Sequence, residues 1–134
     1  MAFIWTKDLE VGNLQIDTEH KSLIEAINNL LLACNEGRGR SEIVATVNFL
    51  KNYTKEHFSH EEILQRQSKY PDYTNHKKYH EGFIQVVQRI ALNLEANGPS
   101  ILIVSEINQQ LGSWLINHIK QEDVKVAKHL SLTK

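Results

Sequence analysis

The sequence predicts an all-α protein, an up-down-up-down four-helix bundle with an extended N-terminal arm and a kinked or broken C-terminal helix. Three observations carry that prediction. Four stretches of about 20 to 25 residues place apolar side chains three and four apart, the spacing of a single helix face. Short breaks at Gly37-Arg38-Gly39, at Ser68 to Tyr73 around Pro71, and at Asn97-Gly98-Pro99 separate them, and connections so short force each helix antiparallel to the one before. Histidines and acids then fall at the helix ends that an alternating bundle gathers together.

The chain of 134 residues fits one domain with a core large enough to need no disulfide. Its single cysteine, Cys34, has no internal partner and lies on an apolar helix face, which predicts a buried, inert thiol and suits a reducing cytosol. Fifteen basic residues against sixteen acidic ones give no electrostatic reason to expect a nucleic acid or an anionic membrane as partner. Met1 to Val11 mixes Lys7, Asp8 and Glu10 among its apolar residues, so it reads neither as a signal peptide nor as a membrane span. A cytoplasmic protein is expected.

Residues 1–17 carry Phe3, Trp5, Leu9 and Val11 at odd positions before Gly12, the pattern of an extended arm laid over apolar surface. The first helix is predicted over 18–36, with His20, Ile24, Ile27, Leu31 and Cys34 inward. Ser41 is a candidate N-cap for the second, over 41–66, whose inner face reads Ile43, Val47, Leu50, Thr54, His57, Glu61 and Leu64. Pro71 marks a loop. The third helix, over 74–97, points His76, His80, Phe83, Val87, Ile90 and Leu94 inward, and Ser100 can cap the fourth, over 100–131.

In that last helix the stripe runs through Val104, Ile107, Leu111, Trp114 and His118, then slips to Asp123, Ala127 and Leu130 where Glu122 would have kept phase. A spacing of five turns an α-helix about 140° past a full turn, so a straight rod cannot aim His118 and Asp123 at one point. A kink, a π-type bulge or a break between Ile119 and Asp123 is therefore expected.

His57 with Glu61, and His76 with His80, are pairs four residues apart, and each pair points one way from its helix. In the alternating bundle His20, His118 and Asp123 come to the same end. Taken singly, each histidine reads more readily as a packed core residue, and Glu61 as an exposed acid like its neighbour Glu62. Jointly, seven polar groups buried without partners would cost on the order of several kcal/mol for each charged one. Five imidazoles and two carboxylates exceed one tetrahedral zinc and suggest two ions; the ligand types suit iron and leave zinc, copper or manganese open. His60 and His129 fall off this arrangement and read as surface residues.

These residues resemble a known pattern. Trp5, Ile16-Asp17-Thr18-Glu19-His20, His57-Phe58 with Glu61-Glu62, Tyr70-Pro71, His76 with His80, and Trp114-Leu115 with His118-Ile119 and Asp123 are together similar to the bacterial members of the hemerythrin family, over nearly the whole chain as a single domain. The resemblance implies a non-haem di-iron centre with an oxo or hydroxo bridge that binds dioxygen reversibly. His76, His80 and His118 would hold one iron and His20 and His57 the other, with Glu61 and Asp123 bridging and oxygen binding on the two-histidine side. Leu23, Phe58, Trp114, Leu115 and Ile119 would wall the oxygen pocket, and core packing is the competing reading of each. Where bacterial relatives usually carry methionine, four residues after Glu61, this chain has Gln65, expected to bring water or a hydrogen bond near the iron pair and to speed autoxidation.

Oxygen carriage, storage, delivery or sensing is the function the resemblance implies. A di-iron peroxidase or oxidase reducing peroxide or oxygen at the same site is the alternative. Delivery or turnover would engage an oxygen-consuming enzyme or an electron donor, and sensing a separate output protein. A monomer is expected, since no large apolar stripe is left over once four helices pack.

Overall fold

The computed structural model describes residues 3–37 and 39–132, so Met1 and Ala2 of the arm and Arg38 of the first turn lie outside the described residues. Four helical rods alternate in direction: α1 (Leu14–Asn35), α2 (Gly39–Gln67), α3 (Tyr73–Asn97) and a fourth helix over residues 101–132. Leu23, Ile27 and Leu30 of α1, Ile43, Leu50 and Phe58 of α2, Phe83 and Ile90 of α3, and Ile103, Ile107, Leu111 and Leu115 of the fourth rod fill the space between them. At about 1.5–3 kcal/mol for each fully buried side chain, this core is the main force holding the rods together. No described helix is long and apolar enough to cross a membrane.

The helix ends differ from the sequence reading for identifiable reasons. α1 starts at Leu14, four residues ahead of the expected start at Thr18, because the Asn13 side chain caps it by accepting the Ile16 N–H at 3.0 Å. α2 begins at Gly39, which puts Ser41 inside its first turn and not at its cap. Leu30, not Leu31, reaches the centre, and Cys34 is half-buried. Near the end of α2 the buried position after Glu61 is Gln65, while Leu64 is half-buried. Lys69 closes this helix in the left-handed region, φ 58°, and Tyr70 N–H donates to the Gln65 carbonyl at 2.8 Å. Ser100 caps the fourth helix as expected, accepting from Ile103 N–H.

The fourth rod is continuous but not uniform. Ile101–Glu106, Ser113–His118 and Val124–Leu132 are α-helical, whereas Ile107–Gly112 and Ile119–Asp123 are π-helical. The Val124 N–H reaches the Ile119 carbonyl and Ser113 N–H the Asn108 carbonyl, each five residues back. The distortion expected between His118 and Asp123 is thus a widened turn and not a break. The upper π segment was not foreseeable from the apolar stripe.

That upper segment serves the arm. Phe3 is held by a pair of hydrogen bonds, its N–H to Asn28 Oδ1 at 2.8 Å and its carbonyl from Asn28 Nδ2 at 2.7 Å, and its ring lies against Gly112. Lys21 stands 5.3 Å from the centre of the Trp5 ring, and a 3-10 turn, Lys7–Leu9, buries Leu9 against the bundle. Asp17 then accepts Val11 N–H at 2.8 Å and Gly12 N–H at 3.2 Å, while Gly12 turns the chain at φ 86°.

A side chain at Gly112 has no room while Phe3 is in place, since a Cβ would stand 2.6 Å from Phe3 Cζ. Gly112→Ala is predicted to destabilise the protein in denaturant unfolding by about 1–3 kcal/mol. The double variant with Phe3→Ala should lose less than the two single losses summed. Full additivity would show that the ring and the glycine are not coupled.

Candidate metal centre

At the bundle end where α1 and α3 begin and α2 and the fourth helix approach their close, five histidines turn inward. His20, His57, His76, His80 and His118 are buried, as are Glu61 and Asp123. One ligand atom from each of Glu61, His76, His80, His118 and Asp123 falls within 4.8 Å of all the others, and the same holds for His20, His57 and Glu61. The four-residue spacings of α2 and α3 place their pairs, and the Ile119–Asp123 π turn brings a residue five positions on back above His118. His118 Nε2 thereby comes to 3.3 Å from Asp123 Oδ1. Glu122, in phase with a straight helix, is half-buried and pairs with Lys125.

Each carboxylate divides its two oxygens between two groups of imidazoles. Glu61 Oε2 is 3.3 Å from His20 Nε2 and 2.9 Å from His57 Nε2, while its Oε1 is 3.3 Å from His80 Nε2 and 3.8 Å from His76 Nε2. Asp123 Oδ2 is 3.2 Å from His20 Nε2, and Oδ1 is 3.1 Å from His76 Nε2. All five imidazoles present Nε2. His20 Nε2 is hydrogen-bonded to Glu61 Oε2 at 3.3 Å and His118 Nε2 to His76 Nε2 at 3.1 Å, yet His57 Nε2, His80 Nε2, Glu61 Oε1 and Asp123 Oδ1 are buried without a hydrogen bond. Lone pairs that crowd together without pairing are arranged for cations held between them. The residues present fit two ions: nitrogen and oxygen donors, dry walls, and a three-histidine and a two-histidine side.

With only protons to balance the carboxylates, the imidazoles take that role. Burial opposes charge on His57, but Glu61 and Glu19 outweigh it and hold the ring up at about 10. His76 is likewise raised to about 9 by Asp123 and Glu61 against its burial, and His20 is raised by the same two carboxylates. Burial pushes both carboxyls up; imidazole charge and hydrogen bonds overcome this and hold Glu61 and Asp123 well below the ordinary range.

A ring of outer contacts orients the ligands. Glu19, a buried acid whose role the apolar pattern did not signal, joins His57 Nδ1 at 3.0 Å to His60 Nδ1 at 2.6 Å. Glu62, expected to be exposed, instead meets His80 Nδ1 at 3.0 Å. His60 and His129, assigned to the surface, are half-buried, and His129 Nε2 contacts the Ser68 carbonyl at 2.8 Å. Carboxylates at the outward nitrogen fix a ligand imidazole's tautomer and raise its basicity. The signal was present for Glu19 and Glu62, each adjacent in sequence to a candidate ligand.

Of the five expected pocket residues, Phe58 and Trp114 touch histidines of the cluster and the other three are core residues. Phe58 stacks on His80 with ring centres 3.9 Å apart, and Trp114 on His118 at 4.4 Å; Leu23, Leu115 and Ile119 are fully buried in the core. A cavity of about 20 Å³, walled by Val11, Ile16, Leu64, Val126 and Leu130, reaches Glu61 and Asp123. That volume is on the scale of one water molecule.

Comparison with known proteins places this geometry. The Hemerythrin HHE cation binding domain matches residues 12–130. A bacteriohemerythrin of Pseudomonas paraeruginosa is 34% identical over 120 residues, 90% of this chain and 76% of that protein. A myohemerythrin of Theromyzon tessulatum is 32% identical over 124 residues, 90% and 88% of the respective chains. A hemerythrin-like protein of Naegleria gruberi is 32% identical over 123 residues, 92% and 89%.

The histidine shifts give a pH prediction with a definite sign. A pKa raised in the folded state contributes stability that is whole below the unfolded value, about 6.5, and is lost as pH rises through the folded one. The lowered carboxyls contribute above about 4.5 and lose their contribution as pH falls. The Tm of metal-free protein should therefore decline as pH rises from 7 towards 10, the range set by His76 at about 9 and His57 at about 10. Zn(II) loading at pH 7 should release about two protons per chain, from His57 and His76. A metal-free Tm that climbs through this range, or loading without proton release, would contradict the charge assignment.

Proposed function

Since the chain belongs to the hemerythrin family, we propose that it is a dioxygen-binding protein, not an enzyme, whose site holds two non-haem iron ions. The observation that carries this reading is the division of oxygens: Glu61 and Asp123 each face both groups of histidines, the arrangement two bridging carboxylates require. His76, His80 and His118 would hold one ion and His20 and His57 the other. An iron pair bound there supplies one electron from each ion and a redox change between ferrous and ferric states.

The protein's part is to leave room, exclude water and fix its ligands. One side offers a histidine fewer than the other, so an ion held there would keep a position for a small neutral ligand. Stacked Phe58 and Trp114 cover His80 and His118, and the buried Leu23, Leu115 and Ile119 supply apolar wall, which strengthens every charge interaction inside by lowering the local dielectric. Glu19 and Glu62 contact the outward Nδ1 of His57 and His80 and so fix those rings with Nε2 turned inward. A site dominated by neutral imidazoles is also less electron-rich than one built of carboxylates, which favours binding dioxygen over cleaving it. Oxygen carriage, storage or delivery in the cytoplasm, by a monomer, follows as the physiological role we assign.

Protein loaded with ferrous iron under inert gas and then cycled between anaerobic buffer and air is predicted to show a visible charge-transfer band that appears with oxygen and vanishes on sparging, over repeated cycles. Direct conversion by air to a stable oxidised form, together with turnover of peroxide by an added reductant, would instead mark a peroxidase or oxidase.

A further inference from the structure

Once an imidazole binds metal through Nε2, its proton must sit on Nδ1, and in a dry interior that N–H needs an acceptor. His57 has Glu19 and His80 has Glu62. His76 and His20 have none: the Nδ1 of each is buried without a partner, and it is His76 that α3 carries beside α2. One turn beyond Glu61 in α2 is a complementary orphan. Gln65 is 0% exposed, and neither its Oε1 nor its Nε2 makes a hydrogen bond. A fully buried carboxamide with both ends unpaired is an exception to how buried polar groups are arranged and calls for a physical reason.

The register of the two helices supplies one. Glu61 and Glu62 of α2 meet His80 of α3 across their interface. The helices are antiparallel, so four residues onward in α2 and four back in α3 both move about 6 Å in the same direction and return to about the same face. Gln65 is therefore level with His76, as Glu61 and Glu62 are with His80. The loop fixes this match, because Tyr70 N–H caps the Gln65 carbonyl while the Tyr70 ring packs edge-on at 6.3 Å from that of His76.

We infer that Gln65 is the outer partner of His76, its Oε1 accepting the His76 Nδ1–H when the imidazole serves as a ligand, after rotation of the carboxamide. The inference rests on the metal centre proposed above. Gln65 is a positioning residue: it fixes the His76 tautomer and ring plane. Being neutral, it leaves His76 a weaker electron donor than His57 and His80, whose partners are carboxylates.

The test uses full-length protein with histidine nitrogens isotopically labelled and Zn(II) as a diamagnetic metal, followed by NMR. In the wild type the His76 Nδ1–H resonance should be sharp and slow to exchange. Gln65→Met should make its exchange about tenfold faster, the change a hydrogen bond of ordinary net strength produces, while the His80 Nδ1–H stays as it was and reports an intact loaded site. Gln65→Glu should restore protection and, in iron-loaded protein, lower the reduction potential by making His76 more electron-rich. Equal His76 exchange in wild type and Gln65→Met, or a change that appears at His20 instead, overturns the pairing alone. No histidine response to Zn(II) in the wild type overturns the metal centre and the pairing with it.

Discussion

Two carboxylates buried among imidazoles set the terms for the rest of this molecule. Glu61 and Asp123 are nearly inaccessible to solvent, and an unpaired buried carboxylate costs far more than any single contact in the core returns. The fold meets that cost by surrounding them with five Nε2 atoms, and the carboxylates in turn raise the pKa of His20, His57 and His76. Under the proposed function, metal ions would take the role that protons otherwise fill. A cluster of this kind is weak support for stability and strong support for function, since apolar side chains would fill the same space at lower cost.

Backbone geometry is bent to this end of the bundle. Pairs four apart need only a regular helix, so α2 and α3 are uninterrupted where they carry His57, Glu61, His76 and His80. Asp123 is five residues from His118, and the π turn between them realigns the two side chains without ending the helix. The second π turn has a different purpose. It contains Gly112, against which the Phe3 ring is seated, and so fastens the arm. The arm continues through Leu9, Val11 and Asn13 to wall the cavity below Glu61 and Asp123. Arm, widened helix and site are in this sense one construction.

The sequence made the bundle legible because its signals are local: apolar spacing, breaks at Pro71 and Gly98, and the Ser100 cap. The widened turn before Asp123 was legible too, through the conflict between a required direction and helical phase. What escaped were interactions that cross between helices or depend on a rotamer. Asn13 reads as loop until its side chain is seen on Ile16 N–H. Glu62 looks like a solvent acid until α3 brings His80 to it, and Glu19 acquires its place only when α2 lies alongside α1. Gln65 was visible as an oddity of residue type; the register that sets it level with His76 was not.

By the proposed function, Glu61 and Asp123 join two ions into one unit. Mössbauer spectroscopy of the oxidised, iron-reconstituted protein in an applied magnetic field, with iron content determined on the same sample, tests it most directly. Two irons per chain, coupled antiferromagnetically to a diamagnetic ground state, are the predicted result. A single iron per chain, or two irons that each keep the magnetic splitting of an isolated ferric ion, would contradict it.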